Sequence, residues 1–154
     1  MSDESVRRHI MDAGDSLPGR PPARMVELSE TEALRLLAGA TWGRVIFTHH
    51  ALPAVRPVNH VLHDGHIVIR THSGAAILRP AGTGEVVAYE SDLMDESDRT
   101  GWSVTVTGTA TLVSDPGDVA FYESLLRPWT DDAMEHVIRI STEIVTGYRL
   151  TREP

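Results

Sequence analysis

From Gly101 to Val113 (GWSVTVTGTATLV) apolar and hydroxyl-bearing residues alternate almost without interruption. Trp102, Val104, Val106, Gly108, Ala110 and Leu112 fall on one side, and Ser103, Thr105, Thr107, Thr109 and Thr111 on the other. A period of two is that of a β-strand. Solvent-facing sheet surfaces normally carry charge, so a column of small hydroxyls raises the question of what lies against it. Threonine also has a high β-propensity, and partial exposure of this face is the alternative.

The same reading divides the rest of the chain. Ser29 followed by Glu32 is a capping box behind hydrophobic Leu28, and predicts a short helix that continues through Ala33, Leu34, Leu36 and Leu37 and stops near Gly39. Strands are expected over Trp42–Thr48, Ala54–Leu62 and Ile67–Thr71, the last two joined by a tight hairpin at Asp64-Gly65. His49-His50 reads as a loop, and residues 73–82 as one helical turn or a loop broken by Pro80. Glu85–Glu90 is a further strand and SDLMDESDRT a polar loop. Asp115-Pro116 starts a helix running to about Leu126, and Val137–Ile140 with Ile144–Leu150 form two short strands or one bent one. Strands outnumber helices and at least one pair is antiparallel, so the expected architecture is mainly β: a β-barrel with peripheral helices.

Length and composition narrow the function classes. A chain of 154 residues suits one domain, expected over 25–154, behind a flexible tail over 1–24 rich in Pro and Gly from Pro18 to Pro22. The first residues contain no continuous apolar stretch of signal-peptide type, and no later run reaches the length of a membrane span. The absence of cysteine excludes disulfides and thiolate chemistry and agrees with a cytoplasmic location. A net charge of −8 argues against nucleic acid as partner. Every basic residue is arginine, so Schiff-base lysine chemistry is excluded and an anion must be held by guanidinium forks, hydroxyls or backbone N–H groups.

Several isolated signals carry little. His60, His63 and His66 are close in sequence, but His60 and His63 fall on opposite strand faces, and two imidazoles with Asp64 are not a structural zinc site, so no metal is expected. Gly82-Thr83-Gly84 precedes a strand, where no helix N-terminus faces a phosphate. No G-x-S-x-G elbow presents a serine nucleophile, and the acidic run Asp92, Asp95, Glu96, Asp98 lacks EF-hand spacing.

Four stretches in order do rise above background: LSETEALRLLAG with TWGRVIF, then AVRPVNHVLHDGHIVIRTHSG, then VVAYESDLMDESDRTGWSVTVTGTATLV, and finally HVIRISTEIVTGYRL. Together, over roughly residues 25–150, they resemble the pyridoxamine 5′-phosphate oxidase-like split β-barrel flavoproteins, specifically the small actinobacterial-type branch. The resemblance implies an antiparallel, Greek-key-like barrel of the FMN-binding type. It also implies a homodimer with cofactor in the clefts between subunits, and an oxidoreductase passing hydride or electrons from a reduced donor to a small organic acceptor. A neighbouring chain, a partner subunit or the cofactor would then cover the hydroxyl face.

Carried over by position, Arg56, Pro57, Val58 and Asn59 match the strand along the flavin ring and ribityl chain. Arg70, Thr71, His72 and Ser73 match the strand end and loop at the phosphate, with Arg79 as reinforcement. Trp102 matches a tryptophan near the dimer cleft, and Trp129 and Arg139 the segment approaching the partner's site. His60 and His72 flank these positions and are candidates to supply a proton. The sequence departs from the pattern at Ala75-Ala76, where relatives often carry a cation, which weakens the phosphate site. A deazaflavin-using reductase and a non-catalytic flavin- or haem-binding module are the alternatives.

Overall fold

In the computed structural model, which describes residues 21–130 and 133–153, the chain runs β1 (Arg24–Glu27), α1 (Glu30–Gly39), β2 (Trp42–His49), β3 (Leu52–His63), β4 (His66–Thr71), α2 (Leu78–Thr83), β5 (Val86–Asp95), β6 (Thr100–Leu112), α3 (Pro116–Leu125), β7 (His136–Ser141) and β8 (Ile144–Thr151). The strand order is β1-β8-β6-β5-β2-β3-β4-β7, and an additional β6–β7 pairing closes the ring. Every pairing is antiparallel. After the β2-β3-β4 meander the chain returns through α2 to lay β5 beside β2, which is a Greek key.

The barrel is split at β6. Residues 101–107 of β6 pair with β8, and Ala110–Leu112 pair with β7 on the same edge. Gly108 sits at the changeover because no side chain fits there. A Cβ would lie 1.6 Å from the Ser141 carbonyl oxygen.

The core fills this ring with the inward residues of alternating strands: Val45, Ile67, Ile69, Tyr89, Val104, Val106, Ile138 and Ile140 are all fully buried. Helix α1 adds Ala33 and Leu37, and its capping Ser29 hydroxyl accepts the Glu32 backbone N–H at 3.2 Å. A second, smaller cluster of Val68, Val113, Tyr122 and Val137 lies between α3 and the outside of β4 and β7. Among the described residues, no helix is long and apolar enough to cross a membrane.

One local expectation needs correction. Ser91–Asp95, read as loop from its acidic composition, extends β5 and pairs with β6 from Asp92↔Ser103 to Asp95↔Thr100, so only residues 96–99 turn. The 73–82 segment takes the first of its two readings, a helical turn, with Pro80 in the first turn of α2, where a missing N–H costs no helical bond. The loop read at His49-His50 narrows to a tight hairpin: His49 ends β2, and His50 and Ala51 turn with φ of 51° and 62° without the glycine or asparagine usual there. The Asp64-Gly65 hairpin forms as read, with positive φ at both residues. Of the tail expected over 1–24, only 21–24 are described. Arg24 is already paired in β1, and the Arg152 guanidinium donates to the Pro21 carbonyl.

Candidate functional site

Strand β3 changes partner from β2 to β4 between Asn59 and His60, and there it sets two kinds of site back to back. Trp42 opposes Asn59 and Arg44 opposes Pro57, whereas Val45 opposes Arg56 and Gly43 opposes Val58. Directly opposed residues share a face, so Pro57 and Asn59 stand outside with Trp42 while Arg56 and Val58 turn the other way.

On the outside is a slot of about 230 Å³. It is lined by two indoles, Trp42 and Trp129, together with Pro57, Val58, Asn59, Arg70 and Met134. Both indoles are substantially exposed, Trp42 at 41% and Trp129 at 65%. The Asn59 amide N–H donates to the Arg127 carbonyl at 2.8 Å, and its Oδ1 has no protein partner among the described residues. A flat apolar opening edged by one amide suits a planar heteroaromatic ring.

On the inside, His60 is 3% exposed and fully engaged. Its Nε2 lies 2.9 Å from the Leu37 carbonyl, which can only accept, so that nitrogen carries the proton and Nδ1 accepts the Tyr89 hydroxyl at 2.5 Å. Burial pushes the His60 pKa down against the opposing pull of the Leu37 bond, and burial pushes the Tyr89 hydroxyl well up. Gly43 makes room for this pair, because a Cβ there would stand 2.8 Å from the Tyr89 ring and hydroxyl. His60 is thus a strut between α1, β3 and β5 and has no proton to offer a substrate. His72 is exposed, with Nδ1 donating to the Ser73 carbonyl at 2.9 Å.

Arg70 has its donors committed. Nε and Nη2 donate to the Met134 carbonyl at 3.1 and 2.7 Å, Nη1 donates to the Leu126 carbonyl at 3.0 Å, and Glu123 stands 3.6 Å from Nη2. The guanidinium thus turns its donors to carbonyls of its own chain. Thr71 is buried opposite His136. His72 and Ser73 line a separate hollow of about 390 Å³ with Ala133 and Glu135, where the Ser73 hydroxyl is 3.4 Å from the Glu135 carboxylate and 3.1 Å from His136 Nε2.

Arginine with free donors lies elsewhere. Arg56 stands over the Phe47 ring, 5.8 Å from its centroid, and donates to the Val55 carbonyl. It shares its neighbourhood with Arg79 and His49: the His49 pKa is lowered first by desolvation, then by the positive charge of His50, Arg56 and Arg79. Arg79 is loosely paired with Glu85 at 3.6 Å.

Of the residues expected at the site, the structure brings Pro57, Val58, Asn59 and Arg70 together, and adds Trp129 from the same chain. Arg56, Thr71, His72, Ser73 and Trp102 are not in the slot. Trp102 is buried on the inner face of β6 and lines a groove of about 400 Å³ with Arg35, Leu36 and Leu93, which Trp42 separates from the slot. Arg139 is in β7 opposite Val68 and Thr111, away from both openings. Sequence reading missed Trp42, whose role follows from its register opposite Asn59, and Met134, which carries no signal of its own.

The sequence model of the pyridoxamine 5′-phosphate oxidase family matches residues 29–149. The uncharacterized protein Rv0080 of Mycobacterium tuberculosis is 53% identical over 133 residues, 84% of this chain and 88% of that protein. Among solved structures, a candidate pyridoxamine 5′-phosphate oxidase from Corynebacterium glutamicum is 30% identical, with a TM-score of 0.72 over 83% of this chain and 99% of its own. An FAD binding protein from Mycobacterium smegmatis is 27% identical, with a TM-score of 0.63 over 82% of this chain and 98% of its own.

Proposed function

The chain belongs to the pyridoxamine 5′-phosphate oxidase family, and on that premise we propose that two copies form a flavin-dependent oxidoreductase, with FMN as cofactor, that passes hydride or electrons from a reduced donor to a small organic acceptor. The observation that carries this reading is the slot that Trp42 and Trp129 line together with Pro57, Val58 and the Asn59 amide, mostly apolar with few polar groups. These residues fit a flavin ring, which needs an apolar bed together with polar contacts at one edge. Bound there, the flavin would supply the hydride and electron chemistry. The protein's share is to hold the ring, exclude water with the two indoles and offer the Asn59 carbonyl oxygen as acceptor.

For the phosphate, Arg70 already donates to backbone carbonyls and the Glu135 carboxylate stands 3.4 Å from the Ser73 hydroxyl, so we assign the anion to the exposed guanidinium of Arg79, which the sequence pattern named as reinforcement and which is only loosely paired with Glu85 at 3.6 Å.

A second copy is part of the reading. At about 230 Å³ the slot is smaller than the ~300–1,000 Å³ of pockets that enclose a whole small ligand, so one chain supplies one side of the site. The outer sheet face beside it is uncovered: Val55, Val86 and Ile144 are 49%, 64% and 60% exposed around the hydroxyls of Thr105 and Thr107. An apolar sheet face of this kind is closed by a matching face.

The visible spectrum of the purified protein tests the reading. Two yellow absorption bands that bleach anaerobically with NADH or NADPH are expected. Titration of colourless protein with FMN, FAD and a deazaflavin separates those cofactors, FAD being favoured as second choice by the FAD-binding relative at 27% identity. A Soret band, or failure to bind any of the three, overturns the proposal.

A further inference from the structure

Arg70 ties two points of the chain that lie on either side of Trp129 in sequence. The Leu126 carbonyl, at the C-terminal cap of α3, accepts from Nη1, and the Met134 carbonyl, just before β7, accepts from Nε and Nη2. The Asn59 amide grips the same segment at the Arg127 carbonyl. Between these ties Trp129 is carried to the slot with 65% of its surface exposed. A large indole held in water beside an apolar opening is left uncovered by the described residues.

We propose that Arg70 is a positioning residue, with Asn59 as its second tie, and that what it positions is Trp129 as the outer aromatic wall for the ring of the bound flavin. The inference rests on the flavin reading above. Its chemistry explains why an arginine stands at this place on β4. Two carbonyls at separate points are bridged only by a planar fork with several fixed donors, whereas an ammonium concentrates its donors at one point. The side chain is 12% exposed, so the fork is shielded from competing water, and it also meets the unpaired carbonyl at the end of α3. The neighbouring Glu123 carboxylate on α3, 3.6 Å away, adds a further partner on the same side.

The experiment has one arm without ligand and one with it. In the first, chymotrypsin is applied to wild type, Arg70→Met, Arg70→Lys and Asn59→Ala, with circular dichroism to show that each is folded. Cleavage after Trp129 should be about tenfold faster in both Arg70 variants, lysine giving no rescue, and a few-fold faster in Asn59→Ala. Equal rates in all four overturn the tie. In the second arm FMN and riboflavin are titrated by tryptophan quenching and visible absorbance. Arg70→Met and Trp129→Ala should each weaken both ligands by about tenfold, and the double variant by no more than either alone, because both changes remove one wall. A loss confined to FMN would make Arg70 a phosphate ligand and overturn the proposal, as would additive losses or unchanged riboflavin affinity in Trp129→Ala. If wild type binds neither flavin, the function proposed above fails, and faster cleavage in the Arg70 variants would still establish the tie by itself.

Discussion

The two faces of β6 are made by the same thirteen residues and end in different states. Inward, Val104, Val106 and Ala110 have no exposed surface and Trp102 has 8%. Outward, Ser103, Thr105, Thr107 and Thr109 stay half-buried, flanked by Ala88, Glu90 and Asp92 of β5 and by Ile144, Thr146 and Tyr148 of β8. One chain completes the inner face. The outer face is uncharged along β6, and its charge is concentrated in Arg44, which donates to Glu90 at 2.6 Å and to Asp92 at 3.4 Å. Burial raises the Glu90 pKa while Arg44 pulls it down, and Arg44 itself is raised first by its bond to Glu90. A face that has already paired its charges within one sheet can be laid against another surface without leaving an ion unsatisfied.

That contrast can be broken from the inside first. Gly108→Ala should cost about 3 kcal/mol or more, since its Cβ meets the Ser141 carbonyl oxygen and backbone cannot rotate out of the way. Thermal unfolding should show a fall of roughly 6–12 °C for a domain of this size. A melting temperature within a degree or two of wild type would mean that β6 and β7 separate there at little cost.

Next in size is Tyr89→Phe, which leaves the His60 Nδ1 buried without its donor and should cost about 1–3 kcal/mol in denaturant unfolding. The same network sets a pH dependence. Folded His60 has its pKa below the ordinary value of about 6.5, so on acidification the unfolded chain takes up a proton before the folded one does. Its contribution is complete above that value and is lost as pH falls through the folded pKa. Unfolding followed from pH 7.5 to 5 should show a shallower decline for His60→Gln than for wild type, and parallel curves would remove His60 as the cause.

The smallest effect on folding is expected outside. Thr105→Arg should change the stability of the single chain by no more than about 0.5 kcal/mol, as surface substitutions do. Yet it should convert a protein of twice the chain mass in light scattering into one of single mass. A wild-type protein already of single mass would sink the proposed pairing.

Much of the barrel was legible because its strands announce themselves locally. The alternation of β6, the Asp64-Gly65 turn, the Ser29 and Asp115 caps and the β-branched runs each depend on neighbours a few residues away. Ser91–Asp95 was not legible, because an acidic run has low strand propensity and forms a strand only through its pairing with β6. The loop at His49-His50 was legible, but not its tight hairpin form at His50-Ala51, for a similar reason. Its positive φ values are unfavourable to both residues and are imposed by the register of the flanking strands.

The candidate site divides in the same way. Pro57, Val58 and Asn59 were named from a contiguous stretch and line the slot, Pro57 and Asn59 from the face that Trp42 shares, whereas Arg56 is not among its lining residues. Arg70, named as a cation for the phosphate, lines the same slot, but the partners of its guanidinium are far along the chain and no local pattern names them.

By itself, then, the amino-acid sequence determined most of the strands, where the chain turns at Asp64-Gly65 and which residue types are present to do chemistry, since these follow from short-range sterics and periodicity. Only the tertiary structure decided that Trp42 and Trp129 line one slot with Asn59, that His60 and Tyr89 satisfy one another, and that Arg70 spends donors on Leu126 and Met134. Those choices depend on hydrogen-bond geometry between residues distant in sequence, which exists only once the barrel has closed.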